Sequence, residues 1–312
     1  MKKPLAALLA IPVLLATQAV PVLWSPRSPE PHQGPGELSV HTISSGGLER
    51  TYRVYCPPKL AGGDHAPVVV CFHGAGASAQ FVIDHYGVLE EAKSRGWIAV
   101  FPEGTGLLSG TGSFGLQTWN AGDCCGYAKL NNVDDVGFFE DLLLDLSQKY
   151  PADLDQVCAT GMSNGAMMTY RLASERPDLL AAVAPVAGSL ESDLPTAPVP
   201  ILAIFGLLDP IVPFEGGVGV GAPNLSYNSQ ASSLLAFLEI NHFSGVQLVF
   251  SDPTAMAWIA PGKQGGATTA YYLALDGGHT WPGQSNPSID PLHTTYSAPL
   301  LMFDFWESEL GL

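Results

Sequence analysis

Along residues 50–306 short unbroken apolar runs alternate with longer stretches in which apolar residues recur every three or four positions. The runs at 52–56, 68–72, 98–101, 157–160, 182–186, 201–205 and 271–275 predict strands. They are nearly continuous in Val, Ile and Ala rather than alternating, as expected of strands covered on both faces. The helical period marks 134–149, 165–174, 232–241 and 299–310. Strands and helices in alternation predict an α/β domain, with a mostly parallel central sheet and helices on both faces. Asp134 and Asp135 stand where they would cap and charge the first of these helices. Residues 214–229, rich in Gly and polar side chains, read as a long loop on a functional rim.

The first residues break this pattern. Lys2 and Lys3 precede an apolar stretch at 5–16, and Thr17-Gln18-Ala19 offers a small-residue cleavage site. Residues 1–19 are therefore expected to be a secretory signal peptide, and the protein to be extracellular or periplasmic. Residues 20–37, rich in Pro, Gly and polar side chains, read as a disordered lead-in, leaving 38–312 as a single catalytic domain. Composition narrows the function. Thirteen Lys and Arg stand against 29 Asp and Glu, a net charge of −16. Such a surface repels nucleic acid and anionic membranes. Five cysteines, Cys56, Cys71, Cys124, Cys125 and Cys158, leave at least one thiol unpaired, and none has zinc-site spacing. No metal is expected.

Chemistry concentrates at Gly161-Met162-Ser163-Asn164-Gly165, between a predicted strand and a predicted helix. A Gly-x-Ser-x-Gly run at such a junction is the nucleophile elbow of the α/β-hydrolase fold, which lifts the serine to the tip of a sharp turn. Serine needs a base, and His279 follows the 271–275 strand in a Gly-rich loop at the same sheet edge as Ser163. The acid should come between them in the chain. Asp209, just past the 201–205 strand, meets that order. Asp276, on the base's own loop, suits local backbone bonding better. The Asn164 amide at the helix N-terminus is one expected oxyanion donor. The Ala75 amide, in the His73-Gly74-Ala75-Gly76 loop after an early strand, is the other. His73 is read as a structural residue of that loop.

Larger blocks make the pattern specific. They are Trp119-Asn120-Ala121-Gly122-Asp123-Cys124-Cys125-Gly126, Val133-Asp134-Asp135-Val136-Gly137-Phe138, Ala184-Pro185-Val186-Ala187-Gly188, Asp209-Pro210-Ile211-Val212-Pro213 and Gly278-His279-Thr280-Trp281-Pro282-Gly283. With these the chain resembles the secreted polyhydroxybutyrate depolymerase and feruloyl esterase family, relatives of carbohydrate esterase family one. The resemblance implies an esterase acting on aryl, acyl-sugar or short polyester substrates without a cofactor. The chain departs from the family at Ala166, Phe205 and Ser174, where Gly, His and Cys are usual, and at Asn241-His242-Phe243, where a Gly-Cys pair follows the Asn. The family's usual disulfide partners for Cys124 or Cys125 are then missing, which leaves a vicinal bridge or free thiols.

The reading is a secreted serine carboxylic-ester hydrolase with Ser163, His279 and Asp209 as triad. Trp119 and Trp281 are candidate walls of the acyl or aryl pocket, with core packing as the competing explanation for either. Its partner is an ester substrate, a polyester or an acylated plant polysaccharide fragment, with no nucleic acid, no membrane for the mature form and no obligate protein partner. The rivals are an acyltransferase on the same fold and a non-catalytic secreted binding protein.

Overall fold

The computed structural model describes residue 36 and residues 38–58, 65–107, 116–220, 225–284 and 295–312. The leader at 1–19 and nearly all of the lead-in at 20–37 lie outside the described residues.

Six strands make a parallel centre: β3 (Ala66–Phe72), β4 (Ile98–Pro102), β5 (Ala152–Met162), β6 (Ala182–Val186), β7 (Ile201–Gly206) and β12 (Thr269–Ala274). Their order is β4-β3-β5-β6-β7-β12. An antiparallel pair extends each side: β1 (Leu38–Ser45) and β2 (Leu48–Tyr55) beyond β4, and β11 (Ala255–Ala260) and β10 (Gln247–Ser251) beyond β12. All seven expected strands are present to within a few residues at their ends. β1, β10 and β11 were not expected. The central strands are buried almost throughout, whereas β1 alternates exposed and half-buried residues.

Helices cover both faces. On one lie α1 (Ala79–His85), α2 (Val88–Arg95) and α7 (Ala298–Leu310), packed with Trp97, Phe303 and Trp306 into one core layer. On the other lie α4 (Asp135–Lys149) and α5 (Asn164–Glu175), whose Phe138, Phe139, Leu142 and Tyr170 fill a second. A short α3 (Gly126–Leu130) precedes α4, and α6 (Gln230–Ile240) lies over the β7–β12 side. The 214–229 loop carries two short paired strands, β8 (Gly217–Val218) and β9 (Ser226–Tyr227).

Asp134 caps α4 as expected, its Oδ1 accepting the Gly137 N–H at 2.8 Å. Asp135 stands in the first turn of α4, as expected, and has a second role. Its carboxylate is buried and bonds Arg50 of β2 at 2.7 Å through one oxygen and the Asn120 N–H at 2.7 Å through the other. Arg50 also lies over the Phe138 ring at 3.8 Å. This desolvated pair joins β2, α4 and the segment at Trp119 and Asn120. Among the described residues no helix is long and apolar enough to cross a membrane.

Candidate active site

The site stands at the C-terminal edge of the parallel strands. Ser163 is the one residue between β5 and α5, with φ 56° and ψ −120°. Positive φ is costly for a residue with a side chain, and such strain persists only where the surroundings fix it. Both sides of Ser163 are tied: its N–H donates to Val186 O at 2.9 Å, and its carbonyl accepts the Met167 N–H at 2.9 Å. The chain can turn this tightly because Gly165 has no side chain; a Cβ there would strike the Phe72 carbonyl.

Asp209 and His279 come from two other strand ends, after β7 and after β12. His279 Nδ1 lies 2.7 Å from Asp209 Oδ2. The Asp209 side chain is fully buried, and its Oδ1 accepts the N–H groups of Ile211 at 2.8 Å and Val212 at 2.9 Å. With Nδ1 engaged by the carboxylate, Nε2 is the ring nitrogen left to take a proton.

The 73–77 loop runs past the elbow. A Cβ built on Gly74 would sit 3.6 Å from Ser163 Cβ, so Ala75 follows directly from a residue in contact with the serine. Two neighbouring amides are used internally: Gly76 N–H donates to Gln117 O at 2.8 Å, and Ala77 N–H to Gly74 O at 3.1 Å. Asn164 is the first residue of α5, where an N–H has no partner within the helix. Its side chain is buried and reads the backbone of Trp119 twice: Oδ1 accepts the Trp119 N–H at 2.8 Å, and Nδ2 donates to Trp119 O at 3.0 Å.

His73 is fully buried. The Gly104 N–H donates to its Nε2 at 2.9 Å, which puts the ring proton on Nδ1, 2.8 Å from Gly74 O. Burial, helped by the charge of Arg50, pushes this imidazole down to about 4. It stays neutral and holds its loop, as the sequence reading had it.

Both tryptophans take the core-packing alternative and do not wall a pocket. Trp119 and Trp281 are each 0% exposed, so neither offers a ring face to a ligand. Trp119 packs edge-on against Phe72, and its Nε1 donates to His73 O at 2.9 Å. Trp281 stacks on Tyr86 with centroids 4.3 Å apart, and the Tyr86 hydroxyl donates to Met162 Sδ at 3.2 Å. Each indole braces the site from behind, one on the Gly74 side and one on the histidine side. Large apolar area marked them as buried, and nothing in the sequence says whether a cleft or the core does the burying.

Cys124 and Cys125 are joined to each other, the vicinal alternative left open by the sequence. Cys71 and Cys158 are buried free thiols and Cys56 is a half-buried one, their titration raised by desolvation. Among the described residues no three His, Cys, Asp or Glu side chains cluster as a metal site would require.

No protein-family model matches the chain. It is 30% identical over 266 residues to NocK of Nocardia uniformis subsp. tsuyamanensis, provisionally named an esterase, covering 77% of this chain and 73% of that protein. The chain belongs to the esterase family related to the feruloyl and acetylxylan esterases. Feruloyl esterase B of Piromyces equi, another relative, is 28% identical over 169 residues, covering 52% of this chain and 30% of that longer protein. Solved structures of α/β-hydrolase esterases share the fold of this chain. The acetyl xylan esterase from Aspergillus awamori superposes with a TM-score of 0.52 at 15% identity, covering 78% of this chain and 94% of that one. An S-formylglutathione hydrolase from Agrobacterium tumefaciens gives 0.52 at 14% identity, covering 78% and 88%. As a member of this esterase family, the protein is a carboxylic ester hydrolase.

Proposed function

We propose that the protein is a secreted serine esterase that cleaves feruloyl- or acetyl-sugar esters through an acyl-enzyme. The observation that carries the mechanism is the His279–Asp209 pair, 2.7 Å apart, at the same sheet edge as a Ser163 held at positive φ. Ser163 Oγ attacks the ester carbonyl while His279 Nε2 takes its proton. Asp209 fixes the imidazole tautomer and stabilises the imidazolium that forms. The backbone N–H groups of Ala75 and Asn164 receive the tetrahedral oxyanion. His279 returns the proton to the departing alcohol, and water then releases the acid by the same steps.

The names of feruloyl and acetylxylan esterases among the relatives support acylated sugars as the substrate class. The apolar leader at 1–19 supports secretion. A short polyester is the second reading. It is favoured by exposed leucines on loops at the sheet edge of the site: Leu116, which contacts the 73–77 loop at Gly76, and Leu208, next to Asp209.

The test has two arms. Purified mature protein is treated with a fluorophosphonate, and hydrolysis is then followed for methyl ferulate, an acetylated xylo-oligosaccharide and a hydroxybutyrate oligomer. Labelling at Ser163 with turnover of either sugar-type ester is the expected result. Turnover confined to the hydroxybutyrate oligomer would replace the substrate class. Absence of both labelling and turnover would refute the mechanism.

A further inference from the structure

We infer that Trp119 is a positioning residue that sets the spacing between the two oxyanion donors. The inference rests on the serine-esterase reading above. Two amides can share one oxyanion only if their separation is fixed before charge develops, because reorganisation at that moment would consume the benefit. Here the donors belong to different parts of the chain: Ala75 to the loop after β3 and Asn164 to the turn after β5. Neither loop bonds the other through a side chain described above. Both bond Trp119.

The connections run in one unbroken line. Asn164 clamps the Trp119 backbone through both atoms of its amide, at 2.8 and 3.0 Å. The Trp119 indole N–H donates to His73 O at 2.9 Å. The His73 ring bonds Gly74 O at 2.8 Å, and Ala75 is the next residue. Every side chain in this line is buried, so water cannot substitute for a lost bond. The segment bearing Trp119 is itself anchored. Thr118 pairs with Thr105 through two backbone bonds of 2.8 and 3.0 Å, and Gln117 O holds the Gly76 N–H at 2.8 Å. The indole touches no substrate position; it acts through the two loops it joins.

The choice of side chain follows from this geometry. Phenylalanine could fill most of the space and keep the edge-on contact with Phe72 but has no N–H for His73 O. Tyrosine carries its donor at the far end of the ring. Only an indole supplies both a large buried ring and a donor on its flank.

The decisive experiment compares wild type with Trp119→Phe and with a variant carrying benzothienylalanine at 119, an isostere whose sulfur replaces the N–H. Three readouts are taken on folded protein: kcat and KM for a soluble aryl ester, and the inhibition constant of a boronic acid, which mimics the tetrahedral adduct. Both variants should lose about 10- to 100-fold in kcat, at or below the ~10²–10³ that removal of one donor costs. KM should stay within about threefold, and boronate affinity should fall in step with kcat/KM. Asn164→Ala, which cuts the other arm, should give a similar loss. The double variant should lose less than the product of the two, because both substitutions break the same linkage. Unchanged kcat in the benzothienylalanine variant overturns the inference. So does a loss carried by KM alone, or single losses that multiply fully in the double variant. If wild type neither hydrolyses esters nor reacts with a fluorophosphonate, the serine-esterase reading fails and this inference with it. An active wild type with indifferent variants removes the Trp119 role alone.

Discussion

Asp209 serves His279 with one carboxylate oxygen and its own loop with the other. Oδ2 lies 2.7 Å from His279 Nδ1, while Oδ1 is occupied by the amides of Ile211 and Val212 at 2.8 and 2.9 Å. The carboxylate is thus oriented before it meets the imidazole. Asp209→Asn keeps the shape but places an NH₂ group where an acceptor is needed, on one side or the other. The substitution should lower kcat by about 10⁴, as the wrong tautomer does in a comparable triad. Asp276→Asn should lose less than about tenfold. Steady-state rates on one soluble ester decide between the two carboxylates, and the reverse ranking would reassign the acid.

Ser163→Ala should lose about 10⁶ in turnover and all phosphonate labelling. The fold should survive, because Ala keeps the backbone bonds of residue 163 to Val186 and Met167. Loss of labelling without loss of turnover, followed by intact-mass spectrometry, would move the nucleophile elsewhere.

Gly206 ends β7 against the histidine loop, and a Cβ there would collide with the carbonyls of Gly277 and Gly278. Gly206→Ala must therefore push that loop and carry His279 with it. A displacement of this kind, at roughly 1 Å, costs on the order of 10² in rate. Thermal stability should fall by less than activity does. Equal activity in a folded Gly206→Ala protein would show that the loop adapts without moving the imidazole.

Six of the seven strands legible in the sequence are the parallel ones at the centre of the sheet, because an unbroken apolar run admits few other readings; the seventh, β2, was legible from its buried end at Val54 and Tyr55. β1 escaped notice because its sequence, Leu38 to Ser45, alternates with an exposed face, β10 because it is a partly exposed edge strand, and β11 because its first residues alternate buried and half-buried. That Ser163, Asp209 and His279 stand at strand ends could be read because each follows its own strand with turn residues beside it. Trp119 and Trp281 could not. A tryptophan announces burial, but whether its face meets ligand or protein depends on neighbours such as His73 and Tyr86 that lie far off in the chain. The Arg50–Asp135 pair was hidden for the same reason: 85 residues separate its members.

That ion pair invites a stability measurement. Asp135→Ala strands a buried guanidinium and leaves the Asn120 N–H without its acceptor, a loss of about 3–5 kcal/mol by analogy with other broken buried pairs. Chemical denaturation at neutral pH reads it directly. Asp134→Ala, which removes only an exposed cap, should cost about 1 kcal/mol.

His73 predicts how stability changes with acidity. Its folded value is about 4, below the ordinary 6.5, because burial opposes the charged ring. Between those two values the unfolded chain binds a proton that the folded chain refuses. Stability should therefore be fully present above pH 6.5 and decline as the pH falls toward 4, by up to ~3 kcal/mol from this group. Denaturation at pH 7 and pH 4.5 should show the decline in wild type and a smaller one in His73→Gln. Equal slopes in the two proteins would remove His73 as the source.

Each member of the site hangs from a different strand of the parallel centre: the 73–77 loop from β3, Ser163 from β5, Asp209 from β7 and His279 from β12. Exposed loops between consecutive strands, the buried Trp119 segment apart, can therefore change in length while the strands keep their places. A change of length in such a loop should then leave the relative placement of Ser163, Asp209 and His279 as it is.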